Sequence, residues 1–243
     1  MDNNVIDNFR KEMDAIGLTV SDRQAEQFSL YYDMLIDWNT RINLTRITEP
    51  DAVCRLHFID STAPMRFISF EDLSLIDIGT GAGFPGIPLK IMNPSLKLTL
   101  LDALDKRCRF LQGVTDRLEL TDVSVVHGRA EDAASAKSSD GLRGSFDIAT
   151  SRAVAKINIL CEYAVPFLKT GGRFIAYKSL DEQNIELNDA SNAMSVLGAV
   201  CERQEEYLLP ETEPSRTLYF IKKISDTPDK YPRRAGMPEK KPL

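Results

Sequence analysis

From residue 73 onward, short apolar runs alternate with amphipathic stretches. That alternation restricts the chain to a mostly parallel sheet with helices on both faces. The runs read as strands at Leu73–Ile78, Lys97–Leu101, Val123–Val126, Phe146–Thr150, Arg173–Tyr177, Glu205–Leu209 and Thr217–Ile221. Between them, helices are expected at Gly86–Met92, Asp105–Leu118, Ala153–Leu168 and Asp181–Leu197. The seven residues separating Leu209 from Thr217 are too few for a crossover helix, so the last two strands should form an antiparallel hairpin. Residues 134–145 are polar and rich in Gly and Ser, which reads as a loop.

The first sixty residues carry a helical period instead. Val5, Ile6, Phe9, Met13 and Ile16 recur at helical spacing and Gly17 is a stop. Ser21-Asp22-Arg23-Gln24 has the form of a capping box, opening a helix that presents Phe28, Tyr31, Leu35 and Trp38 on one face. Thr48-Glu49-Pro50-Asp51 starts another helix, which carries His57 and Asp60. The expected segments are therefore a helical region at 1–66, an α/β domain at 67–225 and a C-terminal tail at 226–243.

The first strand ends in Asp77-Ile78 and runs directly into Gly79-Thr80-Gly81-Ala82-Gly83. Glycines allow a sharp turn and a close approach of backbone to ligand. Pro85 and Pro88 follow where the first helical turn belongs. A ligand is thereby expected at the carboxyl end of a parallel strand. Gly81-Ala82-Gly83-Phe84-Pro85-Gly86 also satisfies the Gly-x-Gly-x-x-Gly dinucleotide fingerprint, which is weak alone. Two details favour a sulfonium methyl donor. Asp77 stands where it can meet the donor's ammonium group through the loop, and the closing hairpin leaves no second mononucleotide half.

Later strand ends add candidates. Asp102 lies 19 residues beyond Gly83 and suits a ribose diol, the reading the preceding loop favours over a mere cap for the helix near Asp105. After the third strand, Ala130 offers backbone groups to an adenine ring, with Glu131 beside it. Arg152 at the fourth strand end faces either a ligand or solvent. His57 lines the acceptor pocket or packs at a helix end.

Composition narrows the class. Four dispersed cysteines and two histidines give no zinc-ligand spacing and read as reduced thiols in a cytoplasmic protein. No run is long enough to span a membrane, and Met1-Asp2-Asn3-Asn4 does not resemble a signal peptide. The net charge of −6 excludes a protein basic all over. Residues 230–243 nonetheless carry Lys230, Arg233, Arg234, Lys240 and Lys241 against Glu239 alone. That tail, with Arg46, Arg55, Lys106, Arg107 and Arg109, supplies candidates for phosphate contacts, each of which also reads as a solvated charge.

The stretch from Asp77 to Leu89 resembles the extended motif of the bacterial 16S rRNA guanine-N7 methyltransferases, once called glucose-inhibited division protein B. The likeness continues through Asn43-Leu44-Thr45, residues 57–61, Asp102 to Leu111, residues 128–131, Ser151-Arg152-Ala153 and Tyr231 to Leu243. Tyr177-Lys178-Ser179 departs from it, since relatives usually have Lys-Gly there. The resemblance implies a Rossmann-like class I methyltransferase with a seven-stranded, mostly parallel sheet and an N-terminal helical extension. It implies S-adenosyl-L-methionine as cofactor, contacted by Gly79, Phe84, Ala130, Glu131 and Arg152, with Asp102 added from the reading above. The implied partner is 16S rRNA or the 30S subunit, and a cytoplasmic, metal-free monomer is expected. Guanine N7 carries no proton, so no acid–base residue is expected.

Overall fold

A computed structural model describes residues 1–152, 155–180, 185–210 and 215–243. Two long helices open the chain, α1 (Asn3–Ala15) and α2 (Asp22–Asn39). Asp2 caps the first. Ser21 and Gln24 close the reciprocal capping box on the second, as the sequence predicts. A third helical stretch begins at Pro50 and changes pitch along its length. It runs as α3 (Pro50–Val53), a π-helical turn (Cys54–Ile59), α4 (Asp60–Thr62) and a 3-10 turn (Ala63–Arg66).

The α/β part follows as β1 (Ser74–Ile78), α5 (Gly86–Met92), β2 (Lys97–Asp102), α6 (Asp105–Arg117), β3 (Val123–His127), α7 (Ala130–Ala133) and β4 (Phe146–Arg152). It continues as α8 (Ile157–Ala164), β5 (Leu168–Ser179), α9 (Ile185–Asp189), α10 (Ser191–Leu197), β6 (Ala199–Tyr207), β7 (Arg216–Lys223) and α11 (Met237–Lys240). The seven strands lie in the order β3-β2-β1-β4-β5-β7-β6. The first five are parallel, and β7 inserts antiparallel between β5 and β6 as the expected hairpin.

Strand alternation splits the core in two. Leu75, Leu98 and Leu100 face the N-terminal helices and α5, whereas Ile76, Leu101, Phe174 and Tyr219 face α8 and α10. The first face is knit by a run of rings. Phe9, Phe28, Phe58, Tyr31 and Phe84 follow one another at centroid separations of 5.0, 4.9, 5.5 and 5.4 Å. The helical extension is thereby pressed against the loop that follows β1.

Three expected elements need correction. The sixth strand covers Ala199–Tyr207, not Glu205–Leu209, because Gly198 in the left-handed region (φ 78°) turns α10 straight into it. As a mostly solvent-facing edge strand it carries Glu202, Arg203, Glu205 and Glu206, so its apolar signal is faint. The helix expected over Ala153–Leu168 is formed at Ile157–Ala164, and a 3-10 turn with Pro166 leads into β5. The helix expected over Asp181–Leu197 breaks at Ala190 into α9 and α10, while Ala153 and residues 181–184 lie outside the described residues. No described helix is long and apolar enough to cross a membrane.

Candidate functional site

The loop after β1 is held from below by Asp77. Its carboxylate is fully buried and accepts from Thr80 Oγ1 at 2.6 Å, Gly86 N at 2.9 Å and Thr150 Oγ1 at 3.2 Å. Burial raises its pKa to about 6, against the lowering effect of those bonds. The three bonds bind the Asp77 carboxylate to the loop and to β4, so it shapes the loop from beneath and acts on a ligand only through it. Leu101 O accepts from the amides of Gly79 and Thr80, and Tyr31 OH donates to Ala82 O. Gly83 has a φ of +97°, and a Cβ there would meet Ile87 Cδ1 at 2.5 Å, so this glycine is required for packing.

Two cavities flank the loop and share Gly79, Asp102 and Ala103. One, of about 140 Å³, lies at the carboxyl ends of β1, β2 and β3, between Gly79, Asp102, Ala130, Glu131, Tyr163 and Glu239. Asp102 is nearly buried; its Oδ2 accepts from Gly81 N and its Oδ1 from Leu104 N, both at 2.9 Å. That places Asp102 beneath the loop rather than as a cap of α6, which has none from a side chain. Glu131 Oε1 accepts from Gly236 N at 2.9 Å, which brings the C-terminal tail over this cavity.

The second cavity, of about 420 Å³, is lined by Thr45, His57, Gly81, Phe84, Arg107 and Arg152. The His57 ring stacks on Phe84 at 4.5 Å with an 18° tilt. Arg152 lies over the same Phe84 ring at 5.1 Å and donates from NH1 to Asp60 Oδ2 at 2.8 Å. Buried Asp60 also accepts from Tyr207 OH at 2.6 Å, so β4, β6 and the third helical stretch converge on one carboxylate. Burial first, and the Arg152 charge second, lower the His57 pKa to about 3 and keep the ring neutral.

The candidate phosphate contacts divide. Arg55 pairs with Glu12 at 2.6 Å and sits in the helical packing, and Arg109 pairs with Asp105 at 2.8 Å on the surface. Lys106 and Arg107 line, with Arg41, an open groove of about 710 Å³ beside the second cavity, where Arg107 pairs with Asp102 at 3.5 Å and Arg41 with Asp37 at 3.0 Å; Arg46 is exposed. Within the tail, Arg233 is locked to buried Glu162, at distances down to 2.5 Å. Its neighbours Arg234, Lys240 and Lys241 are exposed. At the departure site, Tyr177 is buried and donates to Ser61 O at 2.7 Å, while Lys178 pairs with Glu186 at 2.7 Å. Among the described residues no group of three or more His, Cys, Asp or Glu side chains could hold a metal ion. The four cysteines are free.

Reading residues one by one misses Asp60 as a hub, Tyr163 and Glu239 as cavity walls, and the Glu162–Arg233 pair. His57 and Asp60, three apart on one helix face, are the one local signal for the hub. The partners Tyr207 and Glu162 are separated from their mates by 147 and 71 residues and leave none.

This seven-stranded, mostly parallel sheet covered by helices is the fold of Rossmann-like class I methyltransferases. Solved structures share it: a predicted O-methyltransferase from Agrobacterium tumefaciens (TM-score 0.54, 16% identity, 70% of this chain and 81% of that one). Another is M. jannaschii TYW2 in complex with AdoMet (TM-score 0.53, 16% identity, 69% and 76%). The chain belongs to the rRNA small subunit methyltransferase G family, whose model matches residues 24–210. The ribosomal RNA small subunit methyltransferase G of Lactobacillus acidophilus is 46% identical over 98% of both chains. That of Streptococcus pyogenes serotype M12 is 44% identical over 97% of this chain and 98% of its own.

Proposed function

We propose that this protein transfers the methyl group of S-adenosyl-L-methionine to N7 of a guanine in the 16S rRNA of the small ribosomal subunit. The observation that carries the reading is the pair of cavities meeting at Gly79 and Asp102, in a chain of this family. A nucleoside fits the smaller cavity by its donor set. Asp102 and Glu131 are acceptors for hydroxyl and amino protons, while Gly79 and Ala130 offer backbone. Phe84 and Arg152 then stand where the donor's methionine end meets the acceptor.

When bound, the cofactor supplies an electrophilic methyl on a cationic sulfur. The chain's residues contribute alignment and a water-poor surface rather than proton transfer. His57 is neutral and its Nδ1 faces Arg152 at 3.3 Å, so it is not poised as a base. Positive charge arises on the purine as N7 is alkylated. The Arg152 charge beside it is offset by its ion pair with Asp60, which keeps the site from opposing that charge.

RNA is presented from the side of the exposed Lys106 and Arg46, next to the larger cavity, where phosphates find cations that Arg41 and Arg107, each paired with a carboxylate, can join. An acidic protein docks on RNA through such a local field. The protein is taken to act in the cytoplasm as a monomer. Incubation with labelled donor and 30S subunits from cells lacking this enzyme should place label in 16S rRNA. Absence of label there, with activity on a small molecule or protein instead, would overturn the reading.

A further inference from the structure

Thr45 lines the acceptor-side cavity with an oxygen that is already satisfied twice. Ile47 N donates to Thr45 Oγ1 at 3.0 Å, and the same oxygen lies 2.8 Å from His57 Nε2. We assign the direction of that second bond from the far side of the ring. Arg152 NH2 faces His57 Nδ1 at 3.3 Å, and a guanidinium can only donate. Nδ1 therefore holds the lone pair. The neutral ring carries its proton on Nε2 and donates it to Thr45. Asn39 fixes the backbone beneath: its Nδ2 donates to Thr45 O at 2.9 Å, and its Oδ1 accepts from Thr45 N at 3.0 Å. Both lone pairs of the Thr45 hydroxyl are thus engaged, while its proton has no acceptor among the described residues.

We infer that Thr45 Oγ1–H is the donor that reads O6 of the acceptor base, and so selects guanine over adenine. The inference rests on the N7 reading above. The edge of guanine that carries N7 offers a second acceptor beside it, O6, whereas adenine offers an amino donor at that place. With N7 aimed at the methyl group, the neighbouring position decides the fit. A hydroxyl whose lone pairs are taken cannot rotate into an acceptor, so an amino group there leaves two donors opposed. The His57–Arg152–Asp60 chain is a positioning device that holds the hydroxyl in its donating sense.

The test compares T45V, T45A and T45S on 30S subunits reconstituted with the target guanosine or with 2-aminopurine riboside at that position. The second base keeps N7 and lacks O6. Wild type should lose about 10- to 100-fold in kcat/KM on passing from guanine to 2-aminopurine. T45V and T45A should lose a similar factor on guanine and little more on 2-aminopurine. T45S, which keeps the hydroxyl, should stay within about threefold of wild type on guanine, and donor affinity should be unchanged throughout. Losses that multiply independently, or wild-type rates for T45V on guanine, would overturn the role of Thr45. A wild-type enzyme that methylates neither base would overturn the N7 reading as well.

Discussion

Replacing Asp77 with Asn removes a buried charge from beneath the loop while leaving an oxygen for Thr80 and Gly86. The folded pKa of about 6 lies above the ordinary 3.8, so the native state holds the proton more tightly than the unfolded chain. Its stabilising contribution is complete below about pH 4 and is lost as pH rises through about 6. The stability of wild type relative to D77N should therefore fall across that window, by roughly 1.4 kcal/mol for every pH unit between the unfolded and folded pKa values. Urea denaturation as a function of pH measures it, and a flat difference would refute the assignment. His57 has the opposite sign. Its pKa is lowered from 6.5 to about 3, so the contribution of the neutral ring is complete above pH 6.5 and fades as pH falls toward 3. In consequence kcat/KM should show no step near pH 6.5 that H57N removes, and a step there that disappears in H57N would mean that His57 titrates during turnover.

At the scale of elements, the tail acts as a strap over the donor-side cavity. The Arg233 guanidinium donates three bonds to Glu162, Gly236 N holds Glu131, and Arg143 ties the carbonyls of Ala134, Thr227 and Tyr231. R233A leaves a carboxylate that is 1% exposed without its cation, a loss of about 3–5 kcal/mol in stability. The same variant, or removal of residues 237–243, should weaken S-adenosyl-L-methionine binding several-fold in calorimetry without RNA. Unchanged donor affinity together with a raised KM for 30S subunits would return the tail to the RNA-arm reading. Its basic composition is visible along the sequence, but Glu162, which neutralises Arg233, is not. The edge strand β6 is hard to place for a related reason, since charged side chains facing solvent erase the apolar run that reveals interior strands. The central strands β1 and β4 are legible because burial on both faces keeps them apolar, and the Gly79–Gly83 loop because left-handed backbone needs glycine.

On the scale of the whole molecule, the parallel sheet, hairpin and helical extension can all be read from periodicity, yet their mutual placement cannot. The ring chain from Phe9 to Phe84 sets the helical extension against the loop, and it brings Thr45, His57 and Asp60 to the acceptor side. That face combines a cavity with the open groove that Lys106 lines. K106E should raise KM for 30S subunits about threefold to tenfold, with an unchanged donor Kd; a change confined to the donor would contradict this division of the two cavities. Methyl transfer to guanine N7 is read out by mass spectrometry of nucleosides from 16S rRNA, after 30S subunits from a strain without the gene have reacted with isotopically labelled donor. A single labelled N7-methylguanosine per 16S rRNA is expected. Label on another atom, on another base or nowhere in the RNA would contradict it.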